Sequence, residues 1–399
     1  MKKTIAMILT VCMCGTMLTA CGGGAAKETT AAKAAETTAA AVKEAAAKET
    51  EGSAETAGTT FGLTPLEERT TLRIGFFSGS AHGMPFYIAD EMGFFDELNI
   101  DVEYESFIGG PAMMEASASW DICDVGGPGV LNGMKNYDIH MIGICDNESN
   151  TALFVRPDSD LAKDPTNPEM WNGKKVILNT GTTLQYMCAQ YLESIGTSID
   201  NVEVISMDVT SGLTAFKAGE ADAMCAWNAV AYNADDEGYV RVTDMGQMEL
   251  NNICGLCATQ DAIDNKSQLI ETAWMVYYMT GEWMKANEEN KAKAVELYVE
   301  SCEDEGVISN ESICERALDV FNVPTVKEAY AEMTTKETDR AGSGEVYEAS
   351  NLLFETLDFF ITLGSYTAED RQNIIDKGLV DPAVAENCAE TLKALGYVD

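Results

Sequence analysis

The chain has 399 residues, of which 26 are basic and 65 are acidic, and its formal net charge at pH 7 is −39. A charge of this sign and size repels the phosphate backbone of nucleic acids and the surface of anionic membranes, which excludes nucleic acid as a partner. The length and an apolar content of 46% correspond to two domains with sizeable hydrophobic cores.

The first residues have the pattern of a cleaved signal peptide. Lys2 and Lys3 precede an apolar run, Ile5 to Leu18, that is too short to span a bilayer as a mature helix. The small residues that follow lead into Cys21, which resembles the bacterial lipobox, where the cysteine thiol takes up the lipid. We therefore predict a signal peptide over residues 1–20 and an extracytoplasmic protein anchored to the cell membrane by lipid on Cys21. An ordinary secretory peptide with an incidental cysteine is the alternative.

Residues 21–64 have the composition of a tether. Ala, Thr, Glu, Lys and Gly predominate, and no aromatic residue occurs before Phe61. Such a segment has too little apolar surface to pack against a core, so we predict a disordered linker.

Nine cysteines remain after Cys21, from Cys123 to Cys388, and an odd number cannot all pair. Their scattered positions are typical of small buried apolar residues. Cys254 and Cys257 form the one close pair, but no second pair follows at zinc-finger spacing. We favour buried strand thiols over a metal or redox site, and we expect neither a metal nor a cofactor.

From Leu72 onward, short apolar strands alternate with amphipathic helices, which predicts βαβ units and mostly parallel sheets. A first series runs to about residue 155, and a second, similar series follows it. The second series is predicted as strands at 175–179, 202–206 and 221–227, with helices at 182–195, 212–218 and 229–236. Beyond a further strand at 252–258 the pattern is mainly helical, which predicts a helical C-terminal tail.

Several short motifs occur between Leu72 and about Leu256. The motifs are Ile74-Gly75-Phe76, Met84-Pro85-Phe86-Tyr87-Ile88-Ala89, Gly93-Phe94-Phe95, Gly109-Gly110-Pro111, Asp124-Val125-Gly126-Gly127-Pro128, Trp171-Asn172-Gly173-Lys174, Gly181-Thr182-Thr183 and Phe216-Lys217-Ala218-Gly219. In their order and spacing they resemble the nitrate, sulfonate and taurine group of periplasmic-type binding proteins, the NMT1-like family.

The resemblance implies an α/β type II periplasmic-binding-protein fold, in which two lobes hold a ligand in the cleft between them. Residues 65–152 together with 256–399 would form lobe 1, and residues 153–255 would form lobe 2. It also implies a monomeric substrate-binding lipoprotein of an ABC importer, with a permease and ATPase complex as partners. A surface sensor that keeps the fold without an importer is an alternative.

Loops that follow strands supply the first candidate ligand contacts, because ligands of open α/β sheets bind beyond the carboxyl ends of the strands. Ser78, Gly79 and His82 follow the first strand, where small residues let backbone amides approach a ligand. A plain strand-to-helix turn is equally compatible with this segment. Gly127 and Pro128 open a helix after another strand, and the matching family segment usually touches ligand.

The segment from Thr180 to Gln185 is the strongest candidate. Thr180, Gly181, Thr182 and Thr183 end a strand and begin a helix, which offers several donors and the positive end of a helix dipole. Simple capping of the helix by a threonine is the alternative. Gln185 stands where many relatives have histidine, which puts any contact through an imidazole there in doubt.

Trp227 and Asn228 occupy the place where relatives often have Trp-Asp-Pro at the end of a strand. An indole there supplies an apolar wall and one N–H donor, and we favour Trp227 as a cleft residue over a core residue.

Acidic residues lie where the family chain crosses between the lobes. Asn147 and Glu148 are in this connecting segment. An acidic residue there is unexpected in a protein that binds inorganic anions. We predict that Glu148, together with Asp208, pairs with an ammonium group or with an amide or ring nitrogen of the ligand. Solvated hinge residues are the alternative.

We expect no enzymatic activity. The two histidines, His82 and His140, lie in no recognisable nucleophile motif, and the Walker and dinucleotide-binding glycine signatures are missing. One branch of the NMT1-like group makes a pyrimidine vitamin precursor and is associated with a cysteine-rich motif that this sequence does not contain. Helix-end donors favour a sulfonate, carboxylate or nitrate-like group, whereas the indole and the acids favour an organic body that bears nitrogen. A taurine-like zwitterion would satisfy both, and a pyrimidine vitamin precursor or another nitrogen-containing compound is the alternative.

Overall fold

A computed structural model of the chain describes residues 58–77, 79–342 and 344–399. The predicted signal peptide, the lipidation site Cys21, most of the predicted linker and the candidate ligand residue Ser78 lie outside these ranges. Among the described residues, no helix combines the length and apolarity that a membrane crossing requires.

The described chain up to Asn147 builds one sheet and the helices beside it. β1 pairs in parallel with β2 and β3, and its Leu72, Ile74 and Phe76 side chains are buried. Pro85 lies in the first turn of α1, where its fixed backbone angle suits a helix start. The elements are β1 (Thr70–Phe77), α1 (Met84–Glu91), β2 (Ile100–Phe107), α2 (Gly110–Glu115), β3 (Ile122–Gly126), α3 (Gly127–Tyr137) and β4 (Ile139–Asn147).

The next segment builds a second five-stranded sheet. Its elements are β5 (Ala152–Val155), α4 (Asp160–Lys163), β6 (Lys175–Leu178), α5 (Thr183–Ser194), β7 (Glu203–Ser206), α6 (Val209–Ala218), β8 (Ala223–Ala226), α7 (Asn228–Asp236) and β9 (Val240–Asp244). The strand order is β7-β6-β8-β5-β9, and β5 alone runs against the other four.

The chain then returns to the first sheet and continues as helices. Its elements are β10 (Ile253–Thr259), α8 (Gln260–Asn265), α9 (Ser267–Lys285), α10 (Glu288–Asp304), α11 (Glu311–Val320), α12 (Val326–Thr334), β11 (Lys336–Thr338), β12 (Glu345–Tyr347), α13 (Glu348–Thr362), α14 (Ala368–Asp376) and α15 (Ala383–Leu395). β10 enters antiparallel between β3 and β4, which completes the order β2-β1-β3-β10-β4. The predicted α/β fold with two mostly parallel sheets and a helical tail is confirmed.

Two chain segments connect the sheets. The first is residues 148–151, between β4 and β5, and the second is residues 245–252, between β9 and β10. We call the parts of the molecule built on the first and second sheets lobe 1 and lobe 2. The residue boundaries given for these lobes above stay a prediction.

Helix α9 positions the loop that follows β1. Its buried aromatic side chains direct their polar atoms to backbone carbonyls of lobe 1. Trp274 Nε1 donates to Ile142 O at 2.8 Å, and Tyr277 Oη donates to His82 O at 2.8 Å. Each large ring is therefore buried with its polar atom paired, and the loop around His82 is held from behind.

Candidate functional site

A cavity that is open to solvent lies between the two sheets, and its empty space, solvent at the opening included, is about 430 Å³. Strands β1, β3 and β8 end at it, and helices α3, α5 and α7 begin at it. This is the position expected for a ligand of two facing α/β sheets. The lining residues are Phe77, Ser80, His82, Gly110, Val125, Gly126, Gly129, Glu148, Thr182, Thr183, Trp227, Asn228 and Cys254.

The lobe 1 wall of the cavity is made of glycine backbone at the start of α3. A Cβ atom placed on Gly126 would lie 2.5 Å from Thr183 Oγ1 of lobe 2. A Cβ atom on Gly129 would lie 2.3 Å from Val125 Cγ2. Glycine is needed at both positions because the backbone comes too close to its neighbours for any side chain.

The lobe 2 wall contains the beginning of α5. Thr182 is the N-cap residue, since its hydroxyl accepts from Leu184 N at 3.3 Å and donates to Asn179 O at 2.7 Å. Thr182 and Thr183 are buried in the cavity wall. Thr182 therefore caps the helix and lines the cavity at the same time, so the two interpretations of this segment do not exclude each other.

Trp227 and Asn228 complete the lobe 2 wall at the start of α7. Trp227 is half-buried and precedes the first helical residue, Asn228. Asn228 has a φ angle of 47°, and its Oδ1 accepts from Asn150 Nδ2 at 3.1 Å. Non-glycine residues rarely adopt this backbone conformation, and such strain concentrates at binding sites.

His82 lies among three buried carboxyl groups. His82 Nε2 is 3.5 Å from Asp146 Oδ2, and Asp146 Oδ1 accepts from Asn322 N at 3.1 Å. Burial alone lowers the pKa of His82, but the hydrogen bond to Asp146 and the charges of Glu148, Asp146 and Asp124 outweigh burial and raise the pKa to about 9. The imidazole is therefore protonated at neutral pH.

Glu148 is the carboxyl group that lines the cavity. Its Oε1 accepts from Thr151 Oγ1 at 2.5 Å, and its Oε2 accepts from Asn252 Nδ2 at 3.3 Å. Burial raises the pKa of Glu148, and the nearby charge of His82 opposes that rise. Thr183 also donates to Glu148, and the charge of Asp146 raises the pKa of Glu148 further. Neutral donors thus hold Glu148, and His82 and Asp146 are its charged neighbours.

Asp124 on β3 lies close to His82 and is fully buried. Neither of its carboxyl oxygens has a hydrogen-bond partner among the described residues. Burial raises the pKa of Asp124 to about 6, although the positive charge of His82 opposes the rise. This carboxyl group is energetically costly where it is.

The structure brings together six of the residues predicted from the sequence. The residues that line the same cavity are His82, Glu148, Thr182, Thr183, Trp227 and Asn228. A ligand shared by both lobes requires the segments around Gly127 and Thr182 to be close. These two segments face each other across the cavity.

Other predicted residues lie outside the cavity lining. Asp208 is the N-cap residue of α6 and accepts from Thr210 N at 3.0 Å, so its carboxylate is not beside Glu148. Thr180 Oγ1 is 3.0 Å from Ser206 Oγ, and Gln185 Oε1 accepts from Gly181 N at 2.7 Å.

Four further predicted residues lie near the cavity without lining it. Three of them are in the loop after β1 or in the first turn of α3, and the fourth is next to the connection between the two sheets. Gly127 and Pro128 form the first turn of α3, and a Cβ atom on Gly127 would lie 3.0 Å from Asn252 Oδ1. The carbonyl of Gly79 accepts from Tyr298 Oη at 2.8 Å. Asn147 is exposed, and its Oδ1 accepts from Asn252 N at 3.0 Å.

Sequence reasoning missed several lining residues as site candidates. Most of these are direct neighbours of predicted residues at strand ends, so the same rule would have found them. Cys254 is different, because it lies on β10, which reaches the cavity only through its long-range pairing with β3 and β4. The missed residues are Phe77, Ser80, Gly110, Val125, Gly126, Gly129 and Cys254.

The cysteines from Cys123 to Cys388 are buried free thiols. Cys257 faces Cys123 across the β10–β3 pair, and Cys254 Sγ lies 3.8 Å from Glu148 Oε2. Burial raises the pKa of Cys254 well above its usual value, so this thiol is neutral. Within the described ranges, no three cysteine, histidine or acidic side chains are grouped closely enough to hold a metal ion.

Contacts between the lobes continue around the cavity. The carboxamide of Asn179 in lobe 2 donates to the carbonyl of Ile108 in lobe 1 at 2.9 Å. Asn233 of α7 donates to the carbonyl of Ile308 in the loop after α10. Arg316 of α11 forms an ion pair of 2.7 Å with Asp236. The two lobes are therefore in contact across the cleft.

Comparisons with known proteins agree with this arrangement. The chain is similar to the periplasmic aliphatic sulphonate binding protein SsuA from Escherichia coli, with a TM-score of 0.57 and 16% identity, over 76% of this chain and 91% of that one. It is also similar to the periplasmic nitrate-binding protein NrtA from Synechocystis PCC 6803, with a TM-score of 0.64 and 14% identity, over 83% and 90% of the two chains. The desulfurization enzyme DSZB has a TM-score of 0.52 and 15% identity, over 81% of this chain and 99% of that one.

A comparison with curated proteins finds no match. At the identities given above, the solved structures show the fold that this chain shares with binding proteins and with an enzyme. The sequence model of NMT1/THI5-like proteins matches residues 80–290, which is more than half of the chain and includes both walls of the cavity. The chain therefore belongs to the NMT1/THI5-like family.

Proposed function

We propose that the chain is the extracytoplasmic solute-binding component of an ABC importer and captures a small organic molecule in the cavity between its lobes. The observation that carries this proposal is the cavity itself, which is walled by strand ends and helix starts of both sheets. A molecule bound there touches lobe 1 at Gly126 and His82 and lobe 2 at Thr183 and Trp227.

Capture would work through closure of the lobes. The connecting segments 148–151 and 245–252 are the hinge candidates, since they join the two sheets. A ligand that contacts both lobes at once favours the closed state over the open one, and its binding energy sets the size of that shift. The closed form would then dock on the permease and ATPase complex.

The candidate ligands fall into two classes. The solved structures of similar proteins include receptors for sulfonates and for nitrate, which supports a sulfonate, taurine or nitrate-like ligand. The carboxylate of Glu148 and the indole of Trp227 support a pyrimidine vitamin precursor or another nitrogen-containing compound.

Binding without chemical turnover is part of the proposal, although an enzyme shares the fold. Cys254 is the thiol at the cavity, and burial holds it in the neutral form, whereas a nucleophilic cysteine needs a lowered pKa. The protonated His82 is paired with Asp146 and is a poor general base at neutral pH.

Attachment to the membrane through lipid on Cys21 completes the proposed role of a monomeric lipoprotein. Expression of Cys21→Ala in a bacterial host would release the protein into the soluble fraction, while Cys188→Ala, which alters a buried thiol of α5, would leave the attachment unchanged. Incorporation of labelled fatty acid is the direct measurement.

Thermal unfolding in the presence of sulfonates, amino acids, pyrimidines and polyamines tests capture. A ligand at about 100 times its dissociation constant adds roughly 2.7 kcal/mol to the free energy of unfolding, which is a shift of several degrees. We expect at least one compound to stabilise the wild type and not Gly126→Trp, in which the indole fills the cavity. Equal stabilisation of both proteins, or of neither, would overturn the proposal.

A further inference from the structure

We propose that the cavity selects an organic molecule that carries a protonated nitrogen, with its N–H groups received by the carboxylate of Glu148, and that it disfavours sulfonate and nitrate. This inference rests on the proposed capture function and names the ligand class for the same cavity.

The first step is the charge of the cluster. His82 provides one positive charge, and Asp124, Asp146 and Glu148 provide three carboxyl groups within the same buried region. Neither lysine nor arginine is among the described residues that line the cavity. Lys285 interacts electrostatically with Asp146, but its Nζ donates to Val323 O at 3.5 Å. Negative charge is therefore in excess.

The second step is the state of Glu148. Its hydrogen-bond partners are neutral groups that orient the carboxylate without neutralising it, namely Thr151, Thr183, Asn252 and Cys254. An ionised carboxylate has about four acceptor sites on its two oxygens. Thr183, one of the four donors to Glu148, is on the cavity wall, so an N–H donor of the ligand can bind the carboxylate in place of its hydroxyl. A charged nitrogen donor forms the stronger, shorter type of hydrogen bond with such an oxygen.

The third step is Asp124, which is fully buried, interacts with the charge of His82 and has no hydrogen-bond partner on any other described residue. Three buried carboxyl groups share the single positive charge of the His82 imidazolium. This arrangement is unfavourable in a protein interior unless another positive charge is present. An ammonium or amidinium group beside Glu148 supplies that charge. A bound anion would instead add a like charge at short range.

The helix starts at the cavity do not reverse this preference. The end of a helix carries about half of a unit positive charge, and its effect fades within the first turn, whereas each carboxylate carries a full charge. The starts of α5 and α7 can therefore receive a carboxylate or carbonyl on the far end of a zwitterionic ligand. They do not make the cavity selective for an anion alone.

The apolar walls indicate the rest of the ligand. Phe77 and Trp227 are half-buried aromatic side chains on opposite lobes of the cavity. Aromatic faces bind both flat apolar groups and organic cations. The ligand class is thus a small amine or amidine with an apolar or aromatic body.

Matched pairs of probes that differ in charge test the inference. Titrations of the wild type at pH 7.5 would use propylamine against propanesulfonate and benzylamine against benzenesulfonate, with taurine as a zwitterion and sodium nitrate as the bare anion. Thermal shift and tryptophan fluorescence are the readouts. We expect the amines to stabilise the protein and the matched sulfonates and nitrate to have no effect.

Two variants test whether Glu148 is the group that binds the amine. Glu148→Gln removes the receiving charge and should weaken amine binding at least tenfold. Glu203→Gln is the control, because it removes the same charge from an exposed position on β7. Unchanged amine binding in Glu148→Gln would overturn the inference.

The experiments distinguish a wrong ligand class from a wrong proposal of ligand capture in the cavity. Sulfonate or nitrate binding that is lost in Gly126→Trp would overturn the amine preference and leave capture in the cavity intact. A wild type that responds to no probe of either class, or that responds as Gly126→Trp does, would contradict both.

Discussion

The carboxamide nitrogen of Asn179 lies 2.9 Å from the carbonyl oxygen of Ile108, so a side chain of lobe 2 is bonded to the backbone of lobe 1. The approach is close, because a Cβ atom on neighbouring Gly109 would lie 2.5 Å from Asn179 Nδ2. This hydrogen bond exists only when the lobes are together.

Removal of this hydrogen bond should therefore destabilise the closed state and leave the open state unaffected. A single hydrogen bond contributes about 0.5–1.5 kcal/mol, so we expect Asn179→Ala to weaken ligand affinity up to about tenfold, mainly through faster dissociation. Stopped-flow fluorescence measures the rate. Asn136→Ala removes an exposed amide of α3, far from the cleft, and should leave the rate unchanged; an equal effect of the two changes would contradict the assignment.

A second prediction concerns the contact of Gly126 with Thr183. Gly126→Ala should prevent full closure, because the new methyl group would be 2.5 Å from Thr183 Oγ1. We expect a loss of affinity of tenfold or more, with little change in the thermal stability of the ligand-free protein. Small-angle scattering with and without ligand measures closure.

The double variant Gly126→Ala with Thr183→Ala is the matched control for this clash. It removes the hydroxyl that the methyl group meets, so it should recover ligand-induced compaction that Gly126→Ala lacks. Compaction of Gly126→Ala equal to that of the wild type would show that the two lobes do not meet at this point.

Asp124 yields a third prediction, since its folded-state pKa of about 6 lies above the unfolded value of 3.8. Between these values the folded state holds a proton that the unfolded state has lost, so stability falls as pH rises from 3.8 through 6. Asp124→Asn removes this penalty and should raise the free energy of unfolding by about 1–2 kcal/mol at pH 8.

Urea denaturation of the ligand-free protein at pH 4 and pH 8 measures the effect of Asp124→Asn. The gain should be present at pH 8 and absent at pH 4, where the carboxyl group is already protonated. Destabilisation at pH 8 would mean that Asp124 has a stabilising partner and is not an uncompensated charge.

The protonation of His82 yields a fourth prediction, in which stability again falls as pH rises, here because a favourable positive charge is lost. Its folded-state pKa of about 9 exceeds the unfolded value of 6.5, so its contribution is complete below pH 6.5 and is lost as pH rises through 9. The shift corresponds to roughly 3 kcal/mol, at 1.36 kcal/mol for each pH unit. NMR titration of the imidazole should give a pKa near 9, and a value near or below 6.5 would contradict the ion pair with Asp146.

Much of the site could be predicted from the sequence, because loops that follow parallel strands converge at one edge of a sheet. That rule, with the family motifs, placed His82, Thr182 and Trp227 at one cavity. It could not place Cys254, since β10 enters the first sheet from a distant part of the chain and pairs antiparallel. The acidic pattern also predicted that Asp208 joins Glu148 at the ligand, whereas Asp208 caps α6 and does not line the cavity.

The C-terminal region shows a similar limit. The helical periodicity predicted the tail helices, but β11 and β12 were not predicted. These strands have three residues each, and β11 is entirely exposed, so no alternation of apolar and polar residues identifies them. Strand pairing of this kind depends on neighbours brought close by the fold.

The most direct test of capture between the lobes is native mass spectrometry of the mature full-length chain after incubation with a small-molecule extract of growth medium. We predict that the wild type retains one small molecule for each protein chain after desalting and that Gly126→Trp retains none. A wild type without added mass, or equal retention by the two proteins, would contradict the account.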